Sequence, residues 1–330
     1  MMGVSLGLDA DQVMVADVVR RLCAKHSGQA GTVTAAFSRN LWRELAALGV
    51  FALASVHGTD GGAPELVAAA EELGRAGFPG PVAATVAALR LLPANLCEPV
   101  LAGEHIVSLG EAPLMPWGTD ADVFIGLADG RAALLDVSAR EAVETLGGES
   151  WASVVASTVD DLGPMAEARL WYDVVLGAQL VGAGLGLVES AAAHANSRRQ
   201  FGQAISGFQG VSFPLAQAVI GLESAQLLLR AAAVHLQQGI ASRARLALSA
   251  RLSASRAARQ AAFCVHQVFG AIGATADGPV FWLSRRIQQW TVQAPSDRDA
   301  WRNLAARDIG DHASVLLSTA TPSDRVCNSN

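Results

Sequence analysis

Residues that could bind a phosphorylated ligand are concentrated between positions 197 and 210. Arg198, Phe201, Gly202 and Gln209 stand close together in this segment. A guanidinium can bind two phosphate oxygens at once, an aromatic ring can stack on a planar group, and an amide can recognise a polar edge. The combination indicates a site for a phosphorylated, planar cofactor. A surface loop that joins two helices would use similar residues, so this alternative stays open at this point.

The elements around this segment are predicted to be helical at both ends of the chain and extended in the middle. Apolar residues recur at helical spacing in residues 1–105 and 166–318, whereas short β-branched runs separated by Gly, Asp and Pro occupy 106–165. The pattern predicts an N-terminal helical domain, a reduced β-domain of about sixty residues and a C-terminal four-helix bundle. The polar segment 319–330 is predicted to be a disordered tail.

Individual helices follow from caps, glycines and apolar spacing. The first predicted helix is capped by Asp9 or Asp11 and runs to Lys25 and His26. Later helices are predicted at 40–48, 66–74, 82–92, 170–196, 242–269, 280–290 and 299–317, and one more begins at 212 or 214.

Composition restricts the class of function. The chain has 330 residues, of which 51% are apolar and only 16% charged, compared with about 25% charged in an average soluble domain. We therefore expect helix surfaces to be buried between subunits. The net charge of −6 argues against a nucleic-acid surface.

Cysteine usage and the chain ends indicate a soluble, cytoplasmic protein. Cys23, Cys97, Cys264 and Cys327 stand far apart without the spacing of metal ligands, so no metal site and no disulfide framework are predicted. No signal peptide is expected at the N-terminus. The most apolar run, 174–188, is too short as a run to span a bilayer.

Four stretches carry a family resemblance in their residues and spacing. They are 41–49 with Gly61-Gly62 and 70–75; Arg198-x-x-Phe-Gly through Phe208-Gln209; His266–Gly273; and the frame from Ser284-Arg-Arg286 to Arg302. In these stretches the chain resembles the acyl-CoA dehydrogenases. The resemblance implies a helical domain, a β-domain and a C-terminal helical bundle that assembles as a dimer of dimers. It also implies FAD held partly by the neighbouring subunit.

The same resemblance implies which residues contact FAD. They are Arg198, Phe201, Gln209, Gln267, Gly270 and Gly273. Arg198 would bind the pyrophosphate, Phe201 would pack on the cofactor, and the glycine turn would let backbone N–H groups approach the adenosine side. Gln267 and Gly270 would equally suit a simple helix C-cap.

Two departures from the family pattern concern catalysis. Proline stands at position 295, where most members have the glutamate base, and Tyr172 stands where other members place it. Asp173 and Asp297 are the nearby carboxylates that could substitute, although the sequence favours a surface or capping role for each. The β-domain is also about half the family's usual length, and Gly147–Trp151 is predicted to be a turn only. We therefore assign no catalytic residue from the sequence.

These departures favour a subunit of a heteromeric enzyme. The hypothesis is an α2β2 acyl-CoA dehydrogenase in which a full-length partner supplies the base and the flavin pocket. By analogy, the substrate is an acyl-CoA, with bulky steroid-derived ones included, and an electron-transfer flavoprotein is the electron acceptor. The alternatives are a homomeric enzyme with an aspartate base, a cofactor-free scaffold of the same fold, and an unrelated helical binding module.

Overall fold

The computed structural model describes residues 7–26, 37–54, 61–293 and 295–309. The predicted tail at 319–330, Cys327 and the predicted helix beyond residue 309 lie outside the described residues.

In the described residues before the sheet there are five α-helices. They are α1 (Ala10–His26), α2 (Arg39–Ala47), α3 (Ala63–Arg75), α4 (Val82–Ala88) and α5 (Ala94–Leu101). The Ser38 side chain caps α2 by accepting the Leu41 N–H at 3.4 Å, and α2 buries Leu41, Trp42 and Leu45 on one face. Sequence reading missed α5, because a helix of 8 residues with Pro99 inside it has almost no helical signal.

The middle of the chain forms one five-stranded sheet. Its strands are β1 (Val107–Gly110), β2 (Leu114–Met115), β3 (Val123–Ala128), β4 (Arg131–Val143) and β5 (Trp151–Pro164), in the order β1-β3-β4-β5-β2. Only β1 and β3 pair in parallel; the other pairs are antiparallel. Val107 and Ile125 contact the main core, whereas Met115, Phe124 and Val154 form a smaller cluster. The sheet therefore packs on the helices.

After the sheet, the part of the chain that the structure describes contains five α-helices. They are α6 (Ala166–Ser197), α7 (Gln209–Gln237), α8 (Arg243–Phe269), α9 (Phe281–Val292) and α10 (Asp297–Ile309). The fold class predicted from the sequence, mainly α with a small β region, is confirmed. Helix α7 begins earlier than expected, because Pro214 lies inside the helix and does not begin it. The domain boundaries at 105/106 and 165/166 stay predictions.

Helix α6 is the centre of the core. Every residue from Leu170 to Gly184 is buried, and glycines let the neighbouring helices approach closely. A Cβ at Gly182 would overlap the Glu71 carbonyl of α3, and a Cβ at Gly184 would collide with Leu222 of α7 and come 3.3 Å from the Ala258 Cα of α8. Because glycines leave room on two sides of α6, the helices α3, α7 and α8 can pack closely against it.

The direction of the three longest helices follows from the same contacts. Gly177 faces Leu229 and Arg251, whereas Gly184 faces Leu222 and Ala258. From Gly177 to Gly184 of α6, the residue number of the facing position rises from 251 to 258 in α8 and falls from 229 to 222 in α7. Helices α6 and α8 are therefore parallel, and α7 is antiparallel to both. The last turns of α6 and α8 and the first turn of α7 therefore lie at the same end of the bundle.

The apolar run judged too short to cross a membrane is part of a longer helix. Helix α6 has 32 residues and α7 has 29, and both are long and apolar enough to cross a bilayer by length and composition. In α6, however, 78% of the most apolar window is buried inside the protein. Its apolar character is explained by the core position.

The crossing of α6 and α3 predicts opposite effects for two alanine substitutions. Gly182→Ala should lower the free energy of unfolding by about 1–3 kcal/mol or more, because the new methyl group overlaps backbone atoms of α3. Gly221→Ala in α7 is the matched control, since its Cβ would meet only Ala257 Cβ at 3.8 Å. The control should gain about 0.5–1 kcal/mol from helix propensity. Urea unfolding followed by circular dichroism measures both; equal stability of the two variants would contradict the close crossing.

Candidate functional site

A short hairpin directly after α6 carries the Arg-Phe-Gly motif. Its strands are β6 (Arg199–Gln200) and β7 (Gln203–Ala204), which pair antiparallel. The two turn residues, Phe201 and Gly202, both have positive φ, 49° and 84°. Two-residue hairpins require this left-handed backbone, which glycine adopts readily and phenylalanine rarely does. As a result the Phe201 ring stands at the tip of the hairpin, 92% exposed.

The Arg198 guanidinium is exposed and has no hydrogen bond or ion pair with the described part of the chain. Its backbone is fixed, because the Arg198 N–H donates to the His194 carbonyl at 2.8 Å and the Arg198 carbonyl accepts the Ile205 N–H at 2.9 Å. The next residue, Arg199, instead donates to the Gly202 carbonyl at 3.1 Å. Of these two cations, Arg198 is thus the one presented for an external anion.

The glycine turn after α8 lies at the same end of the bundle. Gly270 ends α8 with φ 62°, and its N–H donates to the His266 carbonyl. No atom lies within 4 Å of the position that a Cβ would take at Gly270, so this backbone is open to close approach. Gly273 differs: it is buried, and its Cβ would meet Phe269 Cβ at 2.9 Å. Gly270 is therefore both a helix cap and an exposed backbone, and Gly273 serves packing.

One aromatic contact joins the end of α6, from which the hairpin starts, to the end of α8, from which this turn starts. The His194 ring, in the last turn of α6, stacks on the Phe269 ring at 4.4 Å between centroids and 26° between planes. Gln267 is exposed on the last turn of α8, and Gln209 is exposed as the first residue of α7. The six residues that the sequence predicts to contact FAD thus lie at one end of the bundle, although some of them are distant in sequence.

The chemistry of this end fits the phosphate and adenosine part of FAD. It offers an unpaired guanidinium for phosphate oxygens, an exposed aromatic ring, two amides and an open glycine backbone. Arg198 would hold the pyrophosphate, while Gln267 and Gly270 would contact the adenosine side. The contacts themselves remain a proposal.

The surroundings of Tyr172 do not fit a flavin ring. Its hydroxyl accepts a hydrogen bond from Gln293 Nε2 at 3.2 Å, and burial raises its pKa. The cavity beside it, lined also by Trp117 and Trp290, has a volume of about 20 Å³, which is room for about one water molecule. Among the described residues that line it there is no carboxylate. This position can take neither a planar three-ring group nor a base.

Asp173 is held by two guanidinium groups. Both of its oxygens lie 2.9 Å from Arg169 Nε, and Arg251 Nη1 donates to Oδ1 at 2.5 Å. The side chains of Asp173 and Arg251 are 0% exposed. The carboxylate proposed as a substitute base is therefore the centre of a buried ion cluster.

Asp297 belongs to the same cluster. Its Oδ1 accepts from Ser255 Oγ at 3.0 Å and lies 3.4 Å from Arg251 Nε. Burial raises the pKa of Asp297, although Arg251 opposes the shift. Its position between α8 and α10 gives it a role in holding α10 to the bundle.

Pro295 lines a separate cleft of about 500 Å³, formed by the β3–β4 turn, the start of α6 and the start of α10. Neither Asp173 nor Asp297 lines this cleft, whereas Asp299 does. Ser296 donates to Asp299 Oδ2 from its N–H at 2.9 Å and from its hydroxyl at 2.6 Å. Burial alone would raise the pKa of Asp299, but these bonds hold it below its usual value. The sequence signal for Asp299 is the Ser-x-x-Asp pattern of a capping box.

Glu149 is a second residue that sequence reasoning missed. The segment predicted to be a simple turn buries this carboxylate completely, and it accepts hydrogen bonds from Trp290 Nε1 and Gln289 Nε2, both at 2.7 Å. Trp151 Nε1 donates at 3.2 Å. Burial raises the pKa of Glu149, and Arg286 opposes the shift. The carboxylate fixes α9, and with it Trp290 beside the small cavity, to the sheet.

Because Asp173 belongs to the buried ion cluster, we expect its replacement to lower the stability of the protein, not to remove a catalytic group alone. Asp173→Asn should lower the free energy of unfolding by about 3–5 kcal/mol, because Arg251 then keeps a buried charge without its main partner. The exposed Asp160→Asn is the matched control and should be neutral. Replacing both Asp173→Leu and Arg251→Met should recover only part of the loss, because Arg169 and Asp297 then lose their partners in the cluster. A stable Asp173→Asn protein would instead argue that the carboxylate is free to act as a base.

Comparison with known proteins places the chain in a family. Family models described as the N-terminal and the C-terminal domain of acyl-CoA dehydrogenase match residues 9–94 and 172–294. The probable acyl-CoA dehydrogenase FadE25 of Mycobacterium tuberculosis is 35% identical over 116 residues, which is 34% of this chain and 30% of that protein. The aligned segment thus spans about a third of the length of FadE25. Acyl-CoA dehydrogenase IpdE2 of M. tuberculosis is 27% identical over 89% of this chain and 96% of its own.

Solved structures share the fold over nearly the whole chain. The ChsE4–ChsE5 complex from M. tuberculosis has a TM-score of 0.75 at 20% identity and covers 97% of this chain and 100% of its own. The steroid ACAD Tcur3481–Tcur3483, a variant, gives 0.75 at 18% identity with 96% and 100% coverage. The FAD complex of PigA gives 0.77 at 20% identity with 93% and 99% coverage. With both terminal domains matched, this chain belongs to the acyl-CoA dehydrogenase family, whose cofactor is FAD.

Proposed function

We propose that this chain is a subunit of an FAD-dependent acyl-CoA dehydrogenase, which desaturates an acyl-CoA between Cα and Cβ. In this proposal it contributes the contacts to the phosphate and adenosine side of FAD, and a partner subunit supplies the base and the flavin pocket in an α2β2 assembly. One contrast carries the proposal. The cofactor-binding residues point outward, whereas both positions where the family places a base are closed or occupied by proline.

The outward side of this contrast is the end of the bundle. Phe201 is 92% exposed, and Arg198 has no partner among the described residues. A large apolar ring at the tip of a hairpin, beside an unpaired cation, is the composition of a surface that another molecule covers. Because the residues point away from the chain's own core, the flavin ring that they serve belongs to another subunit.

The closed side is the space around Tyr172. FAD, when bound, accepts the hydride in this reaction. Removal of the Cα proton needs a carboxylate within hydrogen-bond reach. Here the cavity holds about one water molecule, and Asp173 is bound by two guanidinium groups. Asp297 lines a different cleft, of about 450 Å³, and is held there by Ser255 and Arg251. The chain's own residues therefore exclude the acyl group from this space.

The substrate and the partners follow from similarity and remain part of the proposal. The fold is shared with a heteromeric complex, ChsE4–ChsE5, and with an enzyme described as a steroid ACAD. We propose a bulky, steroid-derived acyl-CoA as substrate, an electron-transfer flavoprotein as electron acceptor, and a cytoplasmic location.

One observation favours the alternative of a homomeric enzyme with an aspartate base. The cleft of about 500 Å³ beside Pro295 is large enough for part of a ligand and contains Asp299. Against this alternative, Asp299 is engaged as the cap of α10 by Ser296. Asp173 lines neither this cleft nor the one of about 450 Å³ beside α8, and Asp297, which lines the latter, is bound to Ser255 and Arg251.

Co-expression separates the two functions. With a full-length acyl-CoA dehydrogenase that retains its glutamate base, this chain should co-purify as a yellow heteromer that desaturates acyl-CoA. Expressed by itself it should be inactive. Purification of the chain alone as an active, FAD-containing homotetramer would exclude the proposed division of labour.

The cofactor contact predicts the effect of Arg198→Ala. Loss of a charge-assisted phosphate contact of about 1.5–3 kcal/mol should weaken FAD binding roughly ten- to a hundred-fold. Arg256→Ala, which removes an exposed guanidinium from the middle of α8, is the matched control and should leave FAD binding unchanged. Quenching of flavin fluorescence during titration measures both; equal affinities would remove Arg198 from the site.

A further inference from the structure

We infer that His194 is a positioning residue for the cofactor site. Its ring, stacked on Phe269, holds the hairpin that carries Arg198 at a fixed distance from the turn that carries Gln267 and Gly270. The inference rests on the proposed function, because it concerns how the same site keeps its shape.

The stack lies where the two segments begin. The His194 carbonyl accepts the Arg198 N–H at 2.8 Å, so the histidine is directly bonded to the residue that starts the hairpin. Phe269 is the last residue of α8 and precedes Gly270. The stack, with ring centroids 4.4 Å apart, thus joins the bases of the two segments directly, in addition to the packing of α6 against α8.

Apart from the Phe201 ring, which meets the Phe208 ring edge-on at 6.1 Å between centroids, the hairpin has few contacts in the described part of the chain that hold it in place. It pairs over Arg199–Ala204 and Gln200–Gln203 only, and every residue from Asn196 to Gln203 is exposed. A two-stranded hairpin of this size is marginally stable in water. Beyond the stack, Ile205 is its nearest residue packed against the core. The stack therefore anchors the side of the hairpin that enters from α6, opposite Ile205.

Loss of this anchor would affect recognition of the pyrophosphate. Two-point binding by a guanidinium depends on geometry held within about half an ångström. The phosphate group at Arg198 and the adenosine at Gln267 belong to one ligand, so the distance between their binding groups decides how well both contacts form. An aromatic pair has a strength that corresponds to about a two- to tenfold change in affinity.

The test compares three variants of the full chain, purified with the partner subunit if one accompanies it. His194→Ala removes the ring, and His194→Phe keeps an aromatic ring on Phe269. His235→Ala is the matched control, because His235 is a half-buried histidine at the opposite end of the bundle, 2.9 Å from Ser242 Oγ. Two readouts are FAD affinity by fluorescence titration and amide hydrogen exchange of residues 199–204.

We expect His194→Ala to bind FAD about two- to tenfold more weakly and to exchange the hairpin amides faster. His194→Phe and His235→Ala should match the original chain in both readouts. If His194→Ala is unchanged in both, or if His194→Phe fails as badly as His194→Ala, the positioning role is overturned. If hairpin exchange changes as expected but Arg198→Ala leaves FAD binding intact, the anchor stands and the proposed cofactor role of this end is wrong.

Discussion

The close approach of α3, α7 and α8 to helix α6 is the constraint on which the rest of the structure depends. At Gly182 the backbone of α6 lies against the backbone of α3, and at Gly184 it lies against the Leu222 side chain of α7. Because α6 is fixed by these contacts along its length, its last turn is fixed as well. The hairpin with Arg198 starts from that turn, so its location is a direct consequence of helix packing at the centre of the protein.

The same packing explains why α6 carries charge in its interior. Asp173 lies one turn before Gly177, at the level where α8 comes closest, and Arg251 of α8 faces it without access to water. A buried ion pair contributes little net stability, but it tolerates no loss of either partner. It sets which residues of α6 and α8 face each other, and through Asp297 it sets where α10 begins.

The sheet acts on the site indirectly. Glu149 accepts hydrogen bonds from two residues of α9, and Trp290, one of these donors, lines the cavity at Tyr172. The loop at Glu149 therefore fixes Trp290 beside the small cavity at Tyr172, while the far end of the bundle stays open. Both features result from one arrangement: the sheet covers one part of the helices and leaves the hairpin end uncovered.

The sequence by itself determined the order of helices and strands, the family, and the residues suited to bind a phosphorylated cofactor. Apolar spacing, glycines and the motif from Arg198 to Gln209 are local signals, so they can be recognised in the sequence without the tertiary structure. Short elements such as α5 and β2 escaped because they are too short to show a period. Only the tertiary structure decided that Gln267 and Gly270 lie near Arg198, that Asp173 and Asp297 are bound in a buried cluster, and that Glu149 fixes α9. These facts depend on which helix faces meet, and that is settled by the packing of glycines and side chains distant in sequence, which no local pattern encodes.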